Sequence, residues 1–230
     1  MTTAGSDPNP QARFKFADLI SSVPSFAFSA LYFYTWVQPT AIEEKMVSYL
    51  TLVMVMEFFN VHSSVLIENV IIGESPPDQK ARFIVGLGLF YTLFVGGISL
   101  AYGEWWPVLA FWGLTLNRLL GVLLGKHPTG EEKARMQISW AMSVFFYILG
   151  AGVTTVFPIP AFGITAEVVS RQEFTGGGLW ELEPQTVIAF GFLYFAALGC
   201  SELFSYRWIP FQMTAVQKVR NRRGARSSQE

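Results

Sequence analysis

The chain has 230 residues, of which 51% are hydrophobic and 16% aromatic, while 14% are charged, well below the roughly 25% that soluble domains carry. This excludes an ordinary soluble domain, and the formal net charge of −1 gives no reason to expect a nucleic-acid partner. Cys200 is the single cysteine, which excludes an intrachain disulfide and any Cys-x-x-Cys zinc spacing.

Residues 1–16 form a short polar N-terminal segment. A membrane span needs about 20 mostly apolar residues, and six windows meet that need, at roughly 17–38, 46–73, 82–103, 106–125, 136–158 and 185–209. The fold class expected is therefore all-α: a polytopic membrane helix bundle of six transmembrane helices in one domain, residues 17–210. Prolines punctuate it, with Pro39, Pro76, Pro77, Pro107, Pro128, Pro158, Pro160, Pro184 and Pro210 at or near window ends and only Pro24 in the interior of one. Pro24 should kink the first span, where Ser21, Ser22 and Ser25 are placed to satisfy the carbonyl it frees. That span reads as retained, because Phe28-Ser29-Ala30 puts phenylalanine where a leader-cleavage site wants a small residue.

Orientation follows from the basic residues. With the N-terminus in the cytoplasm, Arg13, Lys15, Lys80, Arg82, Lys126, Lys133, Arg135, Arg207, Lys218, Arg220, Arg222, Arg223 and Arg226 fall inside and only Lys45 and Arg171 outside. The positive-inside rule then puts both termini in the cytoplasm. Trp36, Trp105, Trp106 and Trp180 gather at the outer ends and Trp140 and Trp208 at the inner ends, as interfacial anchors do. Compact loops and the lack of eukaryotic targeting signals suit a bacterial cytoplasmic membrane. The outer loop, 159–183, is long for a small bundle and is either a functional loop or a plain connector. The tail, 211–230, is basic and suited to anionic lipid headgroups.

The second span is the informative one. Its stretch EFFNVHSSVLIEN carries Glu57, Asn60, His62, Ser64, Glu68 and Asn69. At about 100° per residue, Glu57, Asn60, Ser64 and Glu68 share one face while His62 and Asn69 lie on another. Ionisable groups cost roughly 2.5–3.5 kcal/mol near the bilayer centre, so this helix is expected in the interior of the bundle. Arg118 is the only basic residue deep in a span. Counted from the outer ends at 1.5 Å per residue, Glu57 lies about 16 Å deep and Arg118 about 18 Å, which makes Glu57 its first expected partner and Glu68 its second. Glu202, near the inner end of the sixth span, completes the set.

A run of Glu, His, Asn and Ser suits a proton or cation path, so the function expected is proton- or ion-linked transport or channel activity for a small solute. Two alternatives stand beside it: a membrane-embedded enzyme using Glu57 and His62, and a non-catalytic membrane subunit or scaffold whose buried charges only fix packing. No metal or cofactor is called for, since His127, the only other histidine, belongs to a loop. The partners expected are the lipid bilayer and a protein subunit or second copy of the chain.

Overall fold

In the computed structural model, residues 16–125, 129–172, 174 and 177–204 are described. They fold into eight helices and no strand: α1 (Phe16–Val37), α2 (Met46–Ile72), α3 (Pro77–Tyr102), α4 (Trp106–Leu123), α5 (Gly130–Val156), α6 (Ala166–Ser170), α7 (Leu179–Leu182) and α8 (Pro184–Leu203). The basic tail and the last residues of the sixth window lie outside this range.

Five of the helices, α2, α3, α4, α5 and α8, are long and apolar enough to cross a membrane. The protein is thus an all-α, multi-pass membrane protein. Two helices start earlier than their apolar windows, because caps and polar first turns extend them beyond the hydrocarbon-like stretch. Pro77 opens α3 in its first turn, where its missing N–H costs nothing. Thr129 opens α5 with a capping box: its hydroxyl accepts from the Glu132 amide at 3.3 Å and Glu132 accepts from the Thr129 amide at 2.6 Å.

α1 is 22 residues long but is not among the five. Its polar groups give it an inverted character. Ser22, Ser25, Ser29 and Thr35 are buried, whereas Leu19, Ile20, Val23 and Phe33 are exposed. The hydroxyls face α8, where Ser29 donates to the Phe192 carbonyl at 3.1 Å. Near Pro24, Ser22 donates to the Leu19 carbonyl at 2.9 Å and Ser25 reaches across to Glu202.

The packing has two halves joined by α2. On one side α8 lies between α1 and α5, on the other α3 pairs with α4, and α2 touches all five long helices. The larger core gathers Tyr32, Trp36, Leu50, Met54, Phe190 and Tyr194 between α1, α2, α5 and α8. A second core joins Leu52, Met56, Tyr91, Val95 and Phe111 across α2, α3 and α4. The central placement expected of the second span is observed.

Side chains from elsewhere satisfy both ends of α2, which has no side-chain cap of its own at Lys45. A helix leaves its first four N–H and last four C=O groups unpaired. At the start, buried Gln172 of the outer loop accepts from the Ser48 amide at 3.0 Å and donates to the Glu44 carbonyl at 2.8 Å. At the end, Lys80 of α3 donates to the carbonyls of Ile71 at 2.9 Å and Gly73 at 2.7 Å, and Lys133 of α5 to that of Ile72 at 3.0 Å. The described residues of the 159–183 loop are therefore folded onto the bundle. Trp36 also donates to the Pro160 carbonyl at 2.8 Å, and Gly163 sits so close that a Cβ there would lie 2.3 Å from the Val37 carbonyl oxygen. Gln172→Ala is expected to loosen the first turn of α2. Loss of the bond to the Ser48 amide alone, about 1 kcal/mol, should speed amide exchange around Ser48 severalfold by hydrogen–deuterium mass spectrometry, and an unchanged rate would refute the trans cap.

Candidate functional site

Glu57 lies eleven residues into α2, about 16 Å from its N-terminal end. Three tyrosines from three other helices converge on the face that carries it. Tyr32 of α1 donates to the Leu50 carbonyl at 2.7 Å, Tyr147 of α5 to the Met54 carbonyl at 3.0 Å, and Tyr194 of α8 to Glu57 Oε1 at 2.7 Å. Positions 50, 54 and 57 are four and three apart, consecutive steps down one helical face. The rings pack on one another: Tyr147 and Tyr194 lie 5.7 Å apart, Tyr194 and Phe195 5.0 Å, and Tyr32 and Phe195 5.6 Å. Burial of the hydroxyls forces each to find an acceptor, and α2 supplies all three.

Below Glu57 the polar groups continue along the same helix. Asn60 follows one turn after Glu57, and Ser143 of α5, which donates to the Ser139 carbonyl at 3.0 Å, lies beside Tyr194. The Asn60 carbonyl accepts from Ser64 at 2.6 Å, and Ser64 Oγ in turn accepts from Arg118 Nη2 of α4 at 2.5 Å. Arg118 lies in the field of Glu68 and, less strongly, of Glu57. Glu57, Asn60, Ser64, Glu68 and Arg118 are all half-buried. They form one file, running about 16 Å from Glu57 to Glu68 at the rise of an α-helix.

Three expectations need correction. Arg118 does not meet Glu57: its guanidinium bonds Ser64 instead, while Glu57 Oε1 is held by Tyr194. Equal depth counted from helix starts was the wrong measure, because α4 docks lower on α2. Its guanidinium meets Ser64, seven residues beyond Glu57 and so about 10 Å further in, which makes Glu68 the carboxylate that feels it more. His62 is not interior either. It is exposed, with its ring 5.1 Å from that of Phe58, on a stripe with Phe58, Leu66 and Asn69 that is exposed throughout. α3 packs on α4 and α5 on α8, so α2 itself lines the seam between the halves. Glu202, finally, is apart from the file. Ser25 donates to its Oε2 at 2.7 Å and Arg135 lends it positive field, but it lies eight residues beyond Tyr194 on α8, about 12 Å away along the axis.

The tyrosines were the residues sequence reasoning missed. The available signal was their depth: membrane tyrosines favour the interface, yet Tyr147 and Tyr194 fall well inside apolar windows, where a hydroxyl demands an acceptor. Among the described residues no group of three or more His, Cys, Asp or Glu is arranged to hold a metal ion.

Fold and site together define an integral membrane helix bundle with a carboxylate, an arginine and a tyrosine set gathered on its central helix. Compared with known proteins, the chain matches no family model, no curated protein and no solved structure.

Proposed function

We propose that the protein is a six-span membrane protein, with both termini in the cytoplasm of a bacterial cell, that moves protons or cations in step with a small solute. The inverted surface of α1, hydroxyls inward and aliphatics outward, supports its being the sixth span, since only a lipid solvent favours that arrangement. The basic residues support the orientation. The polar path of the proposal runs through Glu57, Asn60, Ser64, Arg118 and Glu68, with His62 and Glu202 outside it.

One observation carries the functional reading. Glu57 hangs at the head of the file, bonded to Tyr194 at 2.7 Å, and the next turns of α2 toward the outside, at Leu50 and Met54, are fully packed into apolar core. In the proposal this carboxyl exchanges its proton along the file with the inner side, while the packed turns at Leu50 and Met54 close the outer, which is what one loading state of a carrier needs. Ionisable groups at this depth mark proton and ion pathways more often than they mark packing.

In proteoliposomes, Glu57→Gln keeps the size and an acceptor for Tyr194 but cannot exchange a proton, so proton flux should fall at least tenfold while the protein stays folded. Tyr194→Phe, which leaves Glu57 Oε1 without that donor, should slow it severalfold. Wild-type flux in folded Glu57→Gln would dismiss the reading. If wild-type vesicles carry no flux and Glu57→Gln merely lowers the melting temperature, the file is packing glue.

A further inference from the structure

Asn117 of α4 is exposed in the middle of a membrane-crossing helix, and no described residue bonds to its amide. The helix is anchored through its other side. Phe111, Thr115 and Val122 are buried, Trp112 donates to Thr92 of α3 at 3.0 Å, and Arg118 reaches Ser64 of α2. Around Asn117 the outer surface is apolar, with Leu116 46% and Leu120 55% exposed. A primary amide brings two donors and an accepting oxygen. Hydrocarbon offers it nothing, and an unsatisfied polar group there costs several kcal/mol.

What covers this face must both give and take hydrogen bonds at one depth. The amide itself meets that description. Two copies inserted the same way, related by a twofold axis along the membrane normal, place their Asn117 side chains level with each other, and each amide serves the other as donor and acceptor. The helix is also recessed on either side of the contact. A Cβ built on Gly113, one turn before Asn117, or on Gly121, one turn after it, meets no heavy atom within 4 Å, so each glycine leaves room for a neighbouring helix to approach.

We propose that this face is the subunit interface of a homodimer, two parallel α4 helices pairing through Asn117. The inference is independent of any transport activity. With Cys200→Ser removing the native thiol, Leu120→Cys, on the same face and with Asn117 intact, should form a disulfide-linked dimer in the full-length protein in lipid vesicles under mild oxidation. Leu93→Cys, 75% exposed on α3, should not. Subunit counting at low protein-to-lipid ratio should find the wild type dimeric, and Asn117→Ala should weaken the dimer on the order of tenfold. No dimer at position 120, equal cross-linking at position 93, a wild type that counts as a monomer, or cross-links only to a different membrane protein would each overturn the proposal.

Discussion

Gly191→Ala should prevent the stable docking of α1 on α8 and lower the melting temperature of the detergent-solubilised protein by several degrees or more. A Cβ on Gly191 would stand 2.2 Å from Cε1, 2.5 Å from Cδ1 and 2.6 Å from Cζ of Tyr32, well inside contact distance. Flexible side chains can evade such a clash, but this one cannot. Tyr32 is 0% exposed, its hydroxyl is fixed to the Leu50 carbonyl at 2.7 Å, and its ring stacks on Phe195. Relief requires either breaking the bond to α2 or separating α1 from α8, so the cost belongs at the upper end of the 1–3 kcal/mol typical of overpacked cores, or about 3 kcal/mol or more. Gly97 supplies the contrast. A Cβ there meets nothing within 4 Å, and Gly97→Ala should be neutral or gain a few tenths to about 1 kcal/mol from helix propensity. The clash is also testable by its partner: in a Tyr32→Leu background the added cost of Gly191→Ala should largely vanish, because interacting sites are not additive. Equal effects of Gly191→Ala in both backgrounds would show that the tyrosine ring is not what the glycine accommodates.

The same region marks where sequence reading succeeds and where it stops. Apolar length located every long helix, because the hydrocarbon requirement acts on each segment alone. The polar density of residues 57–69 correctly singled out α2 as the helix that the others surround, since only a central position offers so many acceptors and donors. Pairing was another matter. Which carboxylate meets Arg118 depends on the relative height of α4 and α2, a property of two helices packed together that neither encodes by itself, and a displacement of about 10 Å exchanged Glu57 for Ser64 and Glu68 as its neighbours. His62 was misplaced for a related reason: a polar residue on a central helix is enclosed only if the surrounding helices close on one another, and α3 and α5 face away to their own partners. The tyrosines went unnoticed because an aromatic residue in an apolar window adds to the hydrophobic count, while its hydroxyl, which ties α1, α5 and α8 to successive turns of α2, leaves no periodic trace.

Lys80→Met is the second substitution with a large expected effect, and it addresses how α2 ends. Lys80 is 6% exposed, a lysine enclosed at the base of the bundle, with its ammonium on the carbonyls of Ile71 and Gly73. Ile71 belongs to the last turn of a 27-residue helix and Gly73 is its C-cap, where no further amide is available to them and where the aligned peptide dipoles concentrate negative charge. Methionine matches the length and apolar stem of lysine but donates nothing, so packing is preserved and two carbonyls lose their partner. Hydrogen bonds from charged donors contribute about 1.5–3 kcal/mol, and buried acceptors left unpaired cost a similar amount, which sets the expected loss at about 2–4 kcal/mol. Lys133→Met removes only the single bond to Ile72 and should cost less than half as much. Because both lysines serve one helix terminus, the double variant should lose less than the sum of the two, with α2 fraying back toward Asn69 in either case. Hydrogen exchange of residues 69–73 in bilayer nanodiscs would read this directly. If the terminus exchanges no faster in Lys80→Met than in the wild type, the last turn of α2 is held by its surroundings alone and the buried ammonium has some other task.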